Sequence, residues 1–187
     1  GVFDWSGNLD LRHFLLLCKQ HDMNVIVRMG PFCHGEIRNG GIPDWIYGRP
    51  FQIRTNDSGY LKYVDRLYGQ IAEQMKGLYY KDGGNIIGVQ FENELQHSAA
   101  PWSFNYPGQK TAYTVADYDI DNTSAGVSVT DGEVSAADLG TRHMKTLKEI
   151  ALSKGIDVSL YTATGWGNAA IIPGECIPLT AAYPYPF

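Results

Sequence analysis

An apolar run closes on two carboxylates flanking an amide: Asn85-Ile86-Ile87-Gly88-Val89-Gln90-Phe91-Glu92-Asn93-Glu94. A stretch this short and β-branched reads as a strand buried on both faces, as in a parallel sheet. Charge carried into such a core meets a large desolvation cost, so Glu92 to Glu94 are expected to mark where the strand leaves it. Parallel α/β folds build their sites at the carboxyl ends of strands, which makes Glu94 the first candidate for chemistry. Glu36 is the second, a few residues past another short apolar run and the loop Gly30-Pro31-Phe32-Cys33-His34-Gly35. Adjacent strands lie about 4.8 Å apart, so both carboxylates can reach one pocket. Two carboxyl groups about 5–5.5 Å apart, one of them protonated, are what hydrolysis of a glycosidic bond with retention requires. On spacing alone, ordinary solvated or salt-bridged glutamates compete with that reading.

The neighbours of these acids suggest further roles. Asn93 cannot donate a proton, but its amide suits a hydrogen bond to a sugar hydroxyl beside the reacting carbon. Satisfying loop backbone at a strand end is the alternative. Strand alternation sets Glu92 on the face opposite Asn93, and a structural role is expected for it. Cys33, His34 and Glu36 form a poor metal set, three mixed ligands in one loop with no second cluster. Asp117, Asp119 and Asp121 alternate as in a calcium loop, yet Asn122 and Ser128 stand where Gly and Glu belong. Asn122-Thr123-Ser124 matches a glycosylation acceptor, a tripeptide common by chance. Trp45, Trp166, Tyr183 and Tyr185 follow strand-end turns and suit either a stacking wall or core packing.

Helical and extended patterns alternate along the chain. A helix is predicted over Leu9 to His21 with Asn8 as its cap and Leu11, Phe14, Leu15 and Cys18 inward. Asn24 to Met29 is a short buried strand halted by Gly30-Pro31. Phe32 to Arg54 lacks periodicity, with a tight corner at Gly40-Gly41-Ile42-Pro43. A second helix runs from about Asp57 or Ser58 to Lys76, with Leu61, Val64, Leu67, Tyr68 and Ile71 in period and Gly77 as terminator. His97 to Ala137 is polar and patternless, as expected of a functional loop or disorder, and is placed beside the same cleft. A third helix, about Ala137 to Ser153, turns Leu139, Met144, Leu147 and Ile150 inward. Asp157 to Thr162 is a strand, and Cys176 to Thr180 a weaker one, demoted by Pro178. This order predicts an α/β fold with a parallel sheet. No strand leads into a GxGxxG or GxxxxGK loop, which disfavours a doubly wound nucleotide-binding sheet. Chemical residues at the ends of several strands favour part of a (β/α)8 barrel.

Composition narrows the function classes. Of 187 residues, 44% are hydrophobic and 19% charged, a globular balance. The net charge of -5 and the absence of a Lys/Arg cluster argue against a nucleic-acid partner. No apolar run approaches the ~20 residues that span a bilayer. Three cysteines without CxxC spacing indicate neither a disulfide framework nor a zinc knuckle.

Two long segments resemble a known family. Gly30-Pro31-Phe32-Cys33-His34-Gly35-Glu36-Ile37-Arg38-Asn39-Gly40-Gly41-Ile42-Pro43-Asp44-Trp45 is similar to the signature of glycoside hydrolase family 35, the β-galactosidases. Gly83 to Glu94 resembles that family's second signature, and Leu160 to Trp166 a third segment. The resemblance implies a retaining exo-acting hydrolase of terminal β-galactosyl groups on a (β/α)8 barrel, of which this chain holds roughly strands three to six in a single domain. It implies Glu94 as acid/base and Asn93, Glu36, Gly35 and Trp166 as sugar-binding residues, with no cofactor and no metal. Glu36 then recognises galactose rather than attacking it, and the nucleophile is a Glu outside this chain; Glu175, in a Pro-Gly turn, is not a match. The isolated chain is expected to be inactive without the remainder of the barrel, and export to the periplasm or exterior is the compartment implied. His34-Gly35-Glu36-Ile37 departs from the usual Cys-Ala-Glu-Trp, and Leu95 from a common Tyr. Another exo-β-glycosidase, such as a β-glucosaminidase, or a non-catalytic glycan-binding relative is therefore the alternative.

Overall fold

Apolar runs become strands and 3.6-period segments become helices in the computed structural model, which describes residues 1–35, 37–95, 136–163, 171–172 and 174–179 (the backbone alone for 136–139). Helix α1 spans Leu11–Gln20, strand β1 Val25–Gly30, helix α2 Ser58–Met75 and strand β2 Ile86–Asn93. Helix α3 (Ala136–Ser153), strand β3 (Ser159–Ala163) and strand β4 (Ile177–Leu179) complete the order. The four strands form one sheet in the order β1-β2-β3-β4, every neighbouring pair parallel. The molecule is thus α/β with a parallel sheet, and its strand order never reverses.

Residues directly opposite one another share a face, and the two faces differ. Val27, Val89 and Leu160 are in register on one face. They are buried in a core with Val64, Tyr68 and Ile71 of α2 and Met144 and Leu147 of α3. Arg28, Gln90, Tyr161 and Ile177 are in register on the other. That second face is open in places: Ile26 is 38% exposed and Ile177 46%. Parallel strands joined in sequence by right-handed crossovers carry their helices on one side, which accounts for the asymmetry.

Local chemistry fixes the elements and corrects some expectations. Asp10, not Asn8, caps α1, its carboxylate accepting from the His13 amide at 2.8 Å. Asn8 instead lies within a 3-10 turn, Gly7–Leu9, so the helix starts two residues later than expected. Within α1, Phe14, expected inward, is 59% exposed, while Leu15 and Cys18 are buried. Asp57 caps α2 through the Gly59 amide, and Gly77 takes the left-handed conformation beyond its end. Pro178 does lie in a strand, β4, which pairs only with β3 among the described residues; an edge tolerates a missing donor. Leu139 and the polar stretch 97–135 lie outside the described side chains.

Two side chains tie helices to the sheet. The Asn85 amide donates to the carbonyls of Leu15 and Met23, 3.1 Å each, anchoring the middle of α1 and the segment after it beside the start of β2. The Tyr68 hydroxyl donates to Gly30 O at 2.8 Å, joining α2 to the end of β1. The bonds to Leu15 and Gly30 are buried, where a satisfied hydrogen bond counts chiefly because its loss would strand a polar group.

Candidate active site

Strand β2 does not stay regular to its end. Gln90 opposes Tyr161, and the next pairing is Asn93 with Ala163, so three steps on β2 span two on β3. Glu92 takes φ +53° and Glu94 φ +49°, conformations unusual for residues with a Cβ. This is a β-bulge, the device that re-aims side chains at a strand end. In a regular strand Gln90 and Glu92 would share a face. Here Gln90 Nε2 donates instead to Asn93 Oδ1 at 3.1 Å, so Asn93 has joined the open face. Glu92 has turned into the core.

The burial of Glu92 overturns the expectation that it marks the strand's exit. Its side chain is fully buried, and the strand continues through Asn93. Arg54 makes that burial tolerable. Its Nη2 lies 2.7 Å from Glu92 Oε2 and its Nε 3.2 Å from the same oxygen, both partners being almost wholly shielded from solvent. The guanidinium also stacks on Phe32, 3.9 Å from the ring centre. A paired, hydrogen-bonded charge escapes most of the cost that an isolated one would meet.

The same groups hold the backbone around Asn93. Its N–H donates to Glu92 Oε2 at 3.0 Å, and its carbonyl accepts from Arg54 Nη2 at 2.8 Å. The Glu92 carbonyl accepts from Gln90 Nε2 at 3.1 Å, and the Glu94 N–H donates to Ala163 O at 2.8 Å. Asn93 Oδ1 accepts from Arg28 Nη2 as well as from Gln90, and Arg28 also donates to the Cys33 carbonyl. Two donors on Oδ1 set the amide's orientation, so its NH2 is the end available to donate to a ligand. Glu94, half-buried, is the first residue past the strand.

Around this centre lie groups that stay neutral. Burial pushes the Tyr60 and Tyr68 hydroxyls well above the usual tyrosine range, and the Glu92 carboxylate pushes in the same direction. Burial also raises the Cys33 thiol, with Arg28 acting against it. His143 of α3, buried beside Tyr60, is lowered to about 3 by burial and by the Arg54 charge. Its Nδ1 lies 2.9 Å from Asn56 Oδ1.

Gly35 is exposed, at φ +63° in the loop after β1. Glu36 and Trp166 lie outside the described residues, as do Asp117 to Asn122, Tyr183 and Tyr185. Trp45 meets Tyr63 of α2 edge-on, ring centres 5.2 Å apart. Both line an apolar cleft of about 180 Å³ between the N-terminal segment, the loop after β1 and α2, a cleft whose lining includes neither Asn93 nor Glu94. Among the described residues no three His, Cys, Asp or Glu side chains are grouped to hold a metal.

The model of glycosyl hydrolases family 35 matches residues 1–167. The chain belongs to that family. "Beta-galactosidase 8" of Oryza sativa subsp. japonica is 32% identical over 182 residues, covering 88% of this chain and 27% of that protein. "Beta-galactosidase-1-like protein 2" of Homo sapiens is 41% identical over 95 residues, half of this chain and 15% of the relative. "Beta-galactosidase" of Bos taurus is 39% identical over 95 residues, half of this chain and 14% of that protein. The alignments thus span about a quarter or less of each of these relatives. Glu36, Asn93, Glu94 and Trp166 all fall inside the stretch matched by the family 35 model.

Sequence reasoning missed Arg54, Arg28, Gln90 and Phe32, which shape the strand end of this family 35 chain. Arg28 left a signal, a lone charge inside the apolar Val25-Ile26-Val27-Arg28-Met29. Arg54 left none, because it comes from a loop without periodicity.

Proposed function

We propose that this chain is part of a retaining, exo-acting β-galactosidase in which Glu94 is the general acid/base. Glu94 donates its proton to the leaving glycosidic oxygen, then removes a proton from the water that attacks the glycosyl–enzyme intermediate. Asn93, with Oδ1 engaged by Arg28 and Gln90, offers its amide hydrogens to a sugar hydroxyl. Glu36, Gly35 and Trp166 bind the sugar, and the nucleophilic carboxylate comes from polypeptide outside this stretch. The observation that carries the reading is the bulge: it sets the Asn93 amide on the open face of a parallel sheet and Glu94 at the strand's carboxyl end.

The sequential strand order and the single helix-covered face also support a (β/α)8 barrel, of which these are strands three to six. The decisive experiment is Glu94→Gln in the full-length protein, followed with a chromogenic β-galactoside. Turnover is expected to fall by about 10²–10⁴-fold, the span of positioned acid–base catalysis, with the melting temperature little changed. Near-normal turnover would reject the assignment. A panel of nitrophenyl sugars tests galactose against related β-sugars.

A further inference from the structure

We infer that Arg54 is a positioning residue of this site, holding the Asn93–Glu94 backbone in its bulged form through the buried carboxylate of Glu92. The inference rests on the reading of Glu94 as acid/base, and it adds a requirement that the reading does not contain. Arg54 belongs to the loop before α2 and to neither family-like segment of the strand end. Yet its guanidinium reaches three groups there: both oxygens of Glu92, at 3.3 Å and 2.7 Å, and the carbonyl of Asn93 at 2.8 Å. Glu92 returns the contact by accepting the Asn93 N–H. One ion pair therefore grips both backbone polar groups of Asn93, on the two peptide units that set where its side chain and Glu94 emerge.

The grip opposes real strain. Glu92, Glu94 and Arg54 itself all lie at positive φ, at +53°, +49° and +57°. Side-chain-bearing residues persist there only when surrounding contacts over-determine the conformation. A regular strand would relieve the strain, but it would return Glu92 to the open face and Asn93 to the core. Phe32 supports the guanidinium from one side, and a Cβ built on Gly40 would fall 2.0 Å from that same ring. The corner Asn39-Gly40-Gly41 thus lets the loop close down on Phe32, and Phe32 on Arg54. Lysine keeps the charge but cannot make the forked contact with the third bond to Asn93.

Arg54→Lys in the full-length protein tests this, with Lys81→Ala as a control remote from the strand end. A displaced acid matters most where the leaving oxygen is basic, because a dinitrophenolate departs without protonation. The variant is expected to lose about 10²-fold or more in kcat/KM on methyl β-galactoside and less than about tenfold on the dinitrophenyl glycoside. Equal losses on both substrates overturn the inference. Amide hydrogen exchange reads the same grip without catalysis: Asn93 and Glu94 are expected to exchange at least tenfold faster in Arg54→Lys, with Ile71 in α2 unchanged. Unchanged exchange at Asn93 and Glu94 also overturns it. Should the wild type turn over no β-galactoside while exchange still rises, the galactosidase reading falls and the holding role of Arg54 stands.

Discussion

The two ends of strand β2 are built on opposite terms. At the amino end the strand residues avoid positive φ, although the register against β1 slips between Ile86 and Gly88, and the Asn85 amide hydrogen-bonds the carbonyls of Leu15 in α1 and Met23 beyond it. An ion pair near that end, Lys81 with Asp157 at 2.6 Å, bridges the approaches to β2 and β3 with both side chains more than half exposed. At the carboxyl end the register slips, two residues take positive φ, and an ion pair is sealed from water. The first end keeps its charges in water and its strand residues out of the positive-φ region. The second accepts strain and buried charge, and that is where the chemical candidates stand.

The comparison breaks first at Arg54. Arg54→Met removes the cation and leaves the Glu92 carboxylate buried and unpaired. Breaking one side of such a pair costs about 3–5 kcal/mol, a large share of a domain's total stability. Denaturant unfolding of the full-length protein should show that loss. The double variant Arg54→Met, Glu92→Leu should recover much of it, because two apolar groups leave no orphaned charge. Recovery of stability without recovery of turnover would separate the folding role of the pair from its positioning role. A loss below about 1 kcal/mol in the single variant, the range of exposed pairs, would erase the contrast between the two ends.

How much of this was legible in the sequence follows from the same contrast. The apolar run of β2, the helical period of α2 and the order of elements depend on local pattern, and the structure follows them to within a residue or two. The strand's exit was legible only as the stretch Glu92 to Glu94, because the apolar run ends at Phe91. The bulge was not, since nothing in Gln90-Phe91-Glu92-Asn93 distinguishes a regular strand end from a slipped one. Desolvation said that charge enters such a core only at a large cost, so Glu92 was expected at the strand's exit rather than inside. It could not say which of the 15 Lys and Arg residues would accompany it, because Arg54 arrives from 38 positions away. The cap of α1 failed for a smaller reason: Asn8 and Asp10 are both good caps, and a 3-10 turn between them decided for the second.

His143 sharpens the comparison through pH. Burial and the Arg54 charge lower its folded value from 6.5 to about 3. Between those values the unfolded chain takes up a proton that the folded chain refuses, so stability is intact above about pH 6.5 and declines as pH falls toward 3. His143→Leu removes the titration, while Asn56, which is exposed, exchanges its partner for water. Melting temperatures across that window should fall less steeply for the variant than for the wild type. Parallel slopes would mean that the acid limb is set elsewhere.

The smallest effect belongs to the amino end. The hydrogen bond from Lys81 and its charge hold the Asp157 carboxylate below its ordinary value of 3.8. A lowered folded value contributes stability that is present above the ordinary value and is lost only as pH falls through the lowered one, so the contribution is complete at pH 7. It is also small, because both partners are solvated and salt screens them. Asp157→Asn should leave the melting temperature at 0.15 M salt within the scatter of replicate melts, with a slight fall at low salt. A fall approaching that of Arg54→Met would show that proximity to a strand end, rather than exclusion of water, determines what an ion pair contributes in this sheet.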